Sequence, residues 1–75
     1  MVTIQVIHQK SGEPWSGRKV ALGFDGFFSG GVTGWEYSDG RGEVHFDERP
    51  RQGRVYVEGH EAWTGYLEGR IVVYV

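Results

Sequence analysis

"YSDGRGEVHF", residues 37–46, is the stretch that decides the fold of this chain. Asp39 is followed closely by two glycines. This combination predicts a tight turn, because the carboxylate accepts hydrogen bonds from nearby backbone N–H groups and glycine adopts positive φ readily. Directly after the turn, Val44 and Phe46 alternate with polar residues, which is the period of a half-buried strand. The stretch therefore predicts a structural turn that leads into a β-strand.

The carboxylates of the same turn raise the alternative of a cation site. A calcium loop needs oxygen ligands at alternate positions and a bidentate glutamate about twelve residues from the first ligand. The turn offers Asp39 and Glu43, with the positive Arg41 between them. We therefore expect a structural turn and predict no metal ligand in it.

Short runs of alternating apolar and polar residues recur along the chain and are separated by many of its 13 glycines. This pattern is typical of strands, and no run shows helical spacing over about ten or more residues. We predict seven strands, over residues 2–9, 18–24, 32–37, 43–47, 53–58, 61–67 and 70–75. Strands this short and this regularly spaced predict an all-β sandwich or barrel, with residues 1–75 as a single domain.

The last two predicted strands carry two further expectations. Glu68 and Gly69 lie between them and predict a two-residue hairpin turn. The final strand, 70–75, is apolar on both faces, since Val72 and Tyr74 lie opposite its other apolar residues. A strand of this kind is usually central in a sheet or covered on its second face.

Three short motifs follow one another between residue 12 and about residue 60. They are built from turn residues and inward-facing apolar residues: Gly12, Pro14, Gly17, Val20 and Leu22 in the first, Ser38, Asp39, Gly42, Val44 and Phe46 in the second, and Gly53, Val55 and Val57 in the third. In this order they resemble the carboxypeptidase regulatory-like family. The resemblance implies an all-β, Greek-key β-sandwich of about seven strands that is transthyretin-like. It implies no reaction, because such domains usually accompany enzymes or receptors as folding, docking or carbohydrate-facing modules.

Composition and charge exclude several functional classes. The net charge of −2 argues against a general nucleic-acid binder, whose affinity depends on neutralising phosphates. The chain has no cysteine, so neither a disulfide nor a thiolate metal site can form. The start "MVTIQVIHQK" lacks the pattern of a signal peptide, and no apolar run is long enough to span a membrane. We expect no nucleic-acid or membrane partner, and a cytoplasmic location is the default if Met1 is the natural start.

Catalytic residue types are present but show no catalytic pattern. His8, His45 and His60 lie on separate predicted elements at irregular spacing, whereas a zinc site needs three or four converging ligands. "GFFSG" has its serine one place late for a nucleophile elbow. A sandwich of 75 residues also has little room for a deep pocket. We therefore predict no catalytic residue, no cofactor and no metal ligand.

The aromatic residues are the best candidates for contacts with a ligand or partner. Those predicted to make such contacts are Trp15, Phe27, Phe28, Trp35 and Tyr37. Core filling explains many aromatic residues in a small chain, but exposed rings also serve as apolar contact points for proteins. Aromatic planes stack on sugar faces as well, which makes carbohydrate binding the alternative.

The arginines of "ERPRQGR" are the candidates for an anion site. Arg49, Arg51 and Arg54 lie close together, and guanidinium groups suit carboxylate or phosphate recognition. The competing interpretation is a solvated loop that Asp47 and Glu48 partly neutralise. The sequence as a whole thus predicts a non-catalytic binding or assembly module, with a protein partner or a homodimer formed through the last strand.

Overall fold

Eight strands run through the residues that the computed structural model describes, 1–26 and 31–75. They are β1 (Val2–Ile7), β2 (Lys19–Phe24), β3 (Gly31–Val32), β4 (Glu36–Tyr37), β5 (Glu43–Phe46), β6 (Arg51–Val57), β7 (His60–Leu67) and β8 (Gly69–Tyr74). This part of the chain contains no helix, and so none that is long and apolar enough to cross a membrane. The all-β class predicted from the sequence is confirmed.

The strands form two sheets that enclose one core. The first sheet has the order β5-β1-β8, and the second has the order β3-β2-β6-β7, with β4 also paired to β2. All pairs are antiparallel except β1 and β8, which run parallel. This parallel pairing sets Ile71 beside Ile4 and Val73 beside Val6. A β-sandwich with inward-facing apolar side chains from both sheets is the result.

Alternation along the strands fills the core. Val2, Ile4 and Val6 of β1 are fully buried, as their period predicts. The core also takes apolar residues from the strands of both sheets: Val20, Leu22, Val44, Phe46, Val55, Val57, Leu67, Ile71 and Val73. Each such side chain contributes about 1.5–3 kcal/mol by leaving water.

The predicted strand over 32–37 is interrupted. It is replaced by β3 and β4, which both pair with β2. At the interruption, Thr33 Oγ1 accepts a hydrogen bond from the N–H of Leu22 at 2.9 Å. The Thr33 N–H still donates to the Leu22 carbonyl at 2.8 Å, so the Thr33 side chain replaces one bond of the regular ladder.

The predicted hairpin at Glu68–Gly69 is wrong. β7 pairs with β6 and β8 pairs with β1, so the chain passes from one sheet to the other at Gly69, where φ is +62°. Parallel pairing with β1 brings Ile71 and Val73 into the core, which a hairpin with β7 would not do. β8 is also an edge strand among the described strands, not a central one, and its outer side chains are exposed.

The turn at residues 38–42 has the structure that its sequence predicts. Asp39 Oδ1 accepts hydrogen bonds from the N–H groups of Arg41 (2.8 Å) and Glu43 (3.0 Å). The N–H groups of Glu43 and Arg41 hold the pKa of Asp39 below its ordinary value. The Gly42 carbonyl accepts from the N–H of Val6 at 2.7 Å, which docks the turn onto β1.

Candidate functional site

A cleft of about 380 Å³ lies at the end of the sandwich where β7 begins and β8 ends. We call it the end cleft. Its lining residues come from three separate parts of the chain: Trp15, Arg18, Val57, Glu58, His60, Glu61, Ala62, Tyr74 and Val75. The volume falls within the range of roughly 300–1,000 Å³ that is usual for small-molecule sites.

The end cleft has an apolar floor and one exposed aromatic wall. Val57 is buried, and Ala62 and Val75 are half-buried against the core. Tyr74 lines the cleft and is 63% exposed, so it is accessible to a ligand. An apolar floor beside an open ring is the usual lining of a ligand pocket.

Trp15 also lines the cleft and is held in place by contacts on several sides. The His8 ring meets it edge-on, with ring centroids 4.1 Å apart, and the Arg18 guanidinium lies 4.6 Å from its centroid. Its backbone is fixed as well, since its N–H donates to the Val6 carbonyl at 2.9 Å. Trp15 therefore forms a fixed wall, with the Arg18 guanidinium stacked on its ring.

Ser38 connects the turn at residues 38–42 to the loop that carries Trp15. It is the buried polar residue of the described chain, with 5% exposure. Its hydroxyl donates to the Trp15 carbonyl at 2.7 Å and accepts from the Arg18 N–H at 2.9 Å. The hydroxyl is thus used both as a hydrogen-bond donor and as an acceptor, as expected for a buried polar group. The fold-deciding stretch therefore also positions one wall of the cleft.

Arginines partly offset the negative charges around the end cleft. Arg18 pairs with Glu58 at 3.5 Å, and Arg54 pairs with Glu61 at 3.7 Å. Arg54 also bonds Asp25 at 2.6 Å. A hydrogen bond with Tyr56, together with the charge of Asp25, raises the pKa of Arg54 above its ordinary value. The two glutamates of the rim are therefore hydrogen-bond acceptors that each have an arginine partner.

Glu58 occupies a backbone conformation that is unfavourable for its side chain. Its φ is +52°, and it is the one residue other than glycine with positive φ in the described chain. It forms with Gly59 the two-residue turn between β6 and β7, where both φ values are positive. Such turns favour asparagine, aspartate or glycine at both positions. Strain of this kind is often stored at functional sites, and Glu58 lines the end cleft.

We expect Glu58→Asn to be more stable than Glu58→Gln by about 1 kcal/mol, since asparagine tolerates positive φ and glutamine does not. Both changes remove the charge and the ion pair with Arg18, so their difference isolates the backbone strain. Thermal unfolding followed by circular dichroism should show a difference of about 4–8 °C in Tm. Equal Tm values for the two variants would mean that the turn is not strained.

The structure separates the aromatic residues that the sequence proposed as contacts. Trp15 lines the end cleft, whereas Trp35 and Tyr37 do not. Trp35 is 46% exposed with the Lys19 ammonium 5.9 Å from its centroid, and Tyr37 lies on the short strand β4. Phe27 and Phe28 lie outside the described residues.

Sequence reasoning missed the other cleft residues. The sequence places Tyr74 in the apolar strand over 70–75, Glu58 at the end of the strand over 53–58, and His60 between two strands. A glutamate before the glycine of a two-residue turn was the available signal for Glu58. No local signal marks Tyr74, because its place depends on the parallel pairing of β8 with a strand more than sixty residues away.

Two of the three arginines proposed as an anion site contact Asp25. Arg54 pairs with its carboxylate, and Arg51 donates to its carbonyl at 3.4 Å. The Arg51 guanidinium also lies 4.5 Å from the Phe24 ring centroid. Arg49 is exposed in the loop before β6. Arg51 and Arg54 thus tie β6 to the end of β2.

Asp39, Glu43 and His45 bring three ligand atoms within 4.8 Å of one another, the one such group in residues 1–26 and 31–75. Existing contacts account for this cluster. Asp39 accepts two backbone N–H groups, and Glu43 pairs with Arg70 at 2.8 Å. His45 Nδ1 is hydrogen-bonded with Thr3 Oγ1 at 2.9 Å. A cation would have to compete with Arg70, so we assign the cluster to the stability of the outer face of the first sheet.

No protein-family model, curated protein or solved structure compared with this chain matches it. The resemblance to the carboxypeptidase regulatory-like family therefore stays a prediction from three motifs. Function has to be inferred from the residues and their geometry, because a fold alone does not set a function.

Proposed function

We propose that this chain is a non-catalytic binding module whose ligand lies in the end cleft. The observation that carries the proposal is the cleft itself, which combines an apolar floor with convergent polar side chains. Pockets of this composition and size are the usual ligand sites of proteins. The two rim glutamates are paired with arginines, which favours binding over acid–base chemistry.

A saccharide is the ligand class that fits the cleft best. The exposed ring of Tyr74 offers a flat apolar face for the C–H side of a sugar ring. Glu58 and Glu61 offer acceptors for hydroxyl groups, and Arg18 offers donors. Each rim glutamate already has an arginine partner, which lowers the gain that a cationic ligand would find at this site. An uncharged, hydroxyl-rich ligand with an apolar face matches these features.

Tyr74→Ala and Tyr37→Ala provide a matched test, because both rings are 63% exposed and only Tyr74 lines the cleft. The probes are maltotriose, cellotriose and chitotriose, titrated by calorimetry and by tryptophan fluorescence. We expect one of the three trisaccharides to bind. Tyr74→Ala should weaken that binding about tenfold or more, which is a loss of about 1.4 kcal/mol in binding free energy. Tyr37→Ala should leave the binding unchanged.

Two outcomes would remove the saccharide assignment. One is the absence of heat and fluorescence change with every probe. The other is an equal loss in Tyr74→Ala and Tyr37→Ala, which would place the contact outside the end cleft. Binding of lysine or choline in place of the sugars would redirect the site to cations.

We also propose that the β-sandwich has the Greek-key topology of the transthyretin-like fold. It is supported by the positions of the three motifs, whose apolar members are buried and whose Gly17 and Gly42 have positive φ. An experimental structure with a strand order other than β5-β1-β8 and β3-β2-β6-β7 would contradict it.

A further inference from the structure

The free edge of β8 presents unpaired backbone groups in a defined pattern. Val75 N–H donates to the Ile7 carbonyl at 3.0 Å, and Gln9 N–H donates to the Val75 carbonyl at 2.7 Å. Both backbone groups of Val75 therefore point toward β1. Since successive residues of a strand direct these groups to opposite sides, the groups of Val72 and Tyr74 point away from β1. No strand of the described residues pairs with that side.

The other sheet edges carry features that discourage pairing. β3 and β4 have two residues each, and β5 has four. β7 pairs with its neighbour through a register irregularity and carries Glu61, Thr64 and Gly65. Short strands, irregular pairing and charges are the usual protection of an edge. β8 has six residues with neither a proline nor a lysine, and Val72 and Tyr74 are exposed on it.

We propose that β8 pairs with β8 of a second copy of this chain, antiparallel about a two-fold axis at Val72. Val72 then lies opposite Val72 of the partner subunit, and Arg70 lies opposite Tyr74 of the partner subunit. The N–H and C=O groups of these residues all point to the free edge, so each outward donor meets an outward acceptor. Tyr74 also lines the end cleft, so the dimer contact and the ligand site share this residue.

The side chains are self-complementary in this register. On the outer face, each arginine meets a tyrosine ring, which is a favourable cation–π arrangement. Arg70 already lies on that face, where it contacts Glu43 at 2.8 Å and Gln5 at 2.9 Å. Val72 meets its own copy at the centre, and no like charges stand opposite each other. The first sheets of two copies become one continuous sheet of six strands.

Symmetry and size both favour this closed arrangement. The same patch serves both copies, so the contact ends with two subunits and does not continue into a fibre. Small chains gain stability from disulfides or from association with another copy, among other routes. This chain has no cysteine, so a disulfide is not available to it.

Val72→Lys and Val32→Lys test the proposal, since each replaces an exposed valine on an edge strand. Sedimentation equilibrium over a wide concentration range should show that the unmodified chain and Val32→Lys form dimers. Val72→Lys should weaken the dimer about tenfold or more, because an edge lysine opposes pairing. A monomer at the highest concentration for the unmodified chain, or equal weakening by both changes, would overturn the proposal.

Variants with a single introduced cysteine test the register of the β8–β8 pair, and they do not depend on the folding of the lysine variants. The chain has no native cysteine, so Val72→Cys and Val32→Cys each introduce the sole thiol. At the two-fold axis, the Cα atoms of residue 72 would be about 5.5 Å apart as a hydrogen-bonded pair, so the two thiols would lie within the span of a short bismaleimide. Treatment with that reagent should crosslink Val72→Cys into a dimer and leave Val32→Cys monomeric under denaturing conditions. A dimer in sedimentation without this crosslink would contradict the register and with it the proposal.

Discussion

Gly42→Ala lowers the free energy of unfolding by about 3–5 kcal/mol, which is most of the margin of a chain this small. Gly42 has a φ of +74°, a region where an L side chain is strained. A Cβ atom there would lie 2.5 Å from the Val6 carbonyl and 3.0 Å from the Trp15 nitrogen. Neither backbone atom can move away easily, because Val6 is held in β1 and the Trp15 N–H donates a hydrogen bond to the Val6 carbonyl.

Gly40→Ala is the matched control for this change. Gly40 belongs to the same turn, its φ is not in the positive region, and a Cβ atom there would meet nothing within 4 Å. Urea unfolding followed by circular dichroism should place the Gly40→Ala midpoint close to that of the unmodified chain. A Gly42→Ala midpoint equal to that of Gly40→Ala would show that the turn is not docked on β1 as described.

Gly53→Ala has the second large effect, a loss of about 3 kcal/mol or more. Here the cause is space and not φ. Gly53 lies in the middle of β6 and faces the core, where a Cβ atom would overlap the Gly23 carbonyl of β2 and approach Leu67 Cδ1 to 2.7 Å. Leu67 is fully buried, so it has no room to move.

Gln52→Ala serves as the control for Gly53→Ala, because Gln52 is the preceding residue of the same strand and is exposed. We expect that change to stay within about 0.5 kcal/mol of the unmodified chain. The two variants are compared by urea unfolding under identical conditions. A folded Gly53→Ala protein with unchanged stability would mean that β2, β6 and β7 are not packed in the register described.

Local patterns in the sequence predict most of the strands but not how they pair. Val2, Ile4 and Val6 alternate with polar residues, and this period places them in the core without any knowledge of the partners. The parallel pairing of β8 with β1 joins the two ends of the chain, and no local pattern specifies it. The hairpin predicted at Glu68–Gly69 is wrong for this reason, since a two-residue turn signal is also compatible with a corner between sheets.

The candidate site is likewise predictable only in part. Trp15 could be found because a tryptophan in a loop is unusual enough to suggest a contact. Ser38 was assigned to a turn motif, and its second role of holding the Trp15 carbonyl depends on a contact across 23 residues. Tyr74 enters the cleft through the pairing of β8, so its role follows from tertiary structure alone.

The central claim is that the end cleft is the ligand site, and amide NMR of the isotope-labelled chain tests it most directly. The experiment uses Val72→Lys, so that saccharide binding is separated from pairing through β8, and titrates the trisaccharide that binds most tightly. We predict that the signals that shift cluster on the cleft residues Trp15, Glu58, His60, Glu61 and Tyr74. Signals that shift around Trp35 and Tyr37 instead, with the cleft signals unchanged, would contradict the claim.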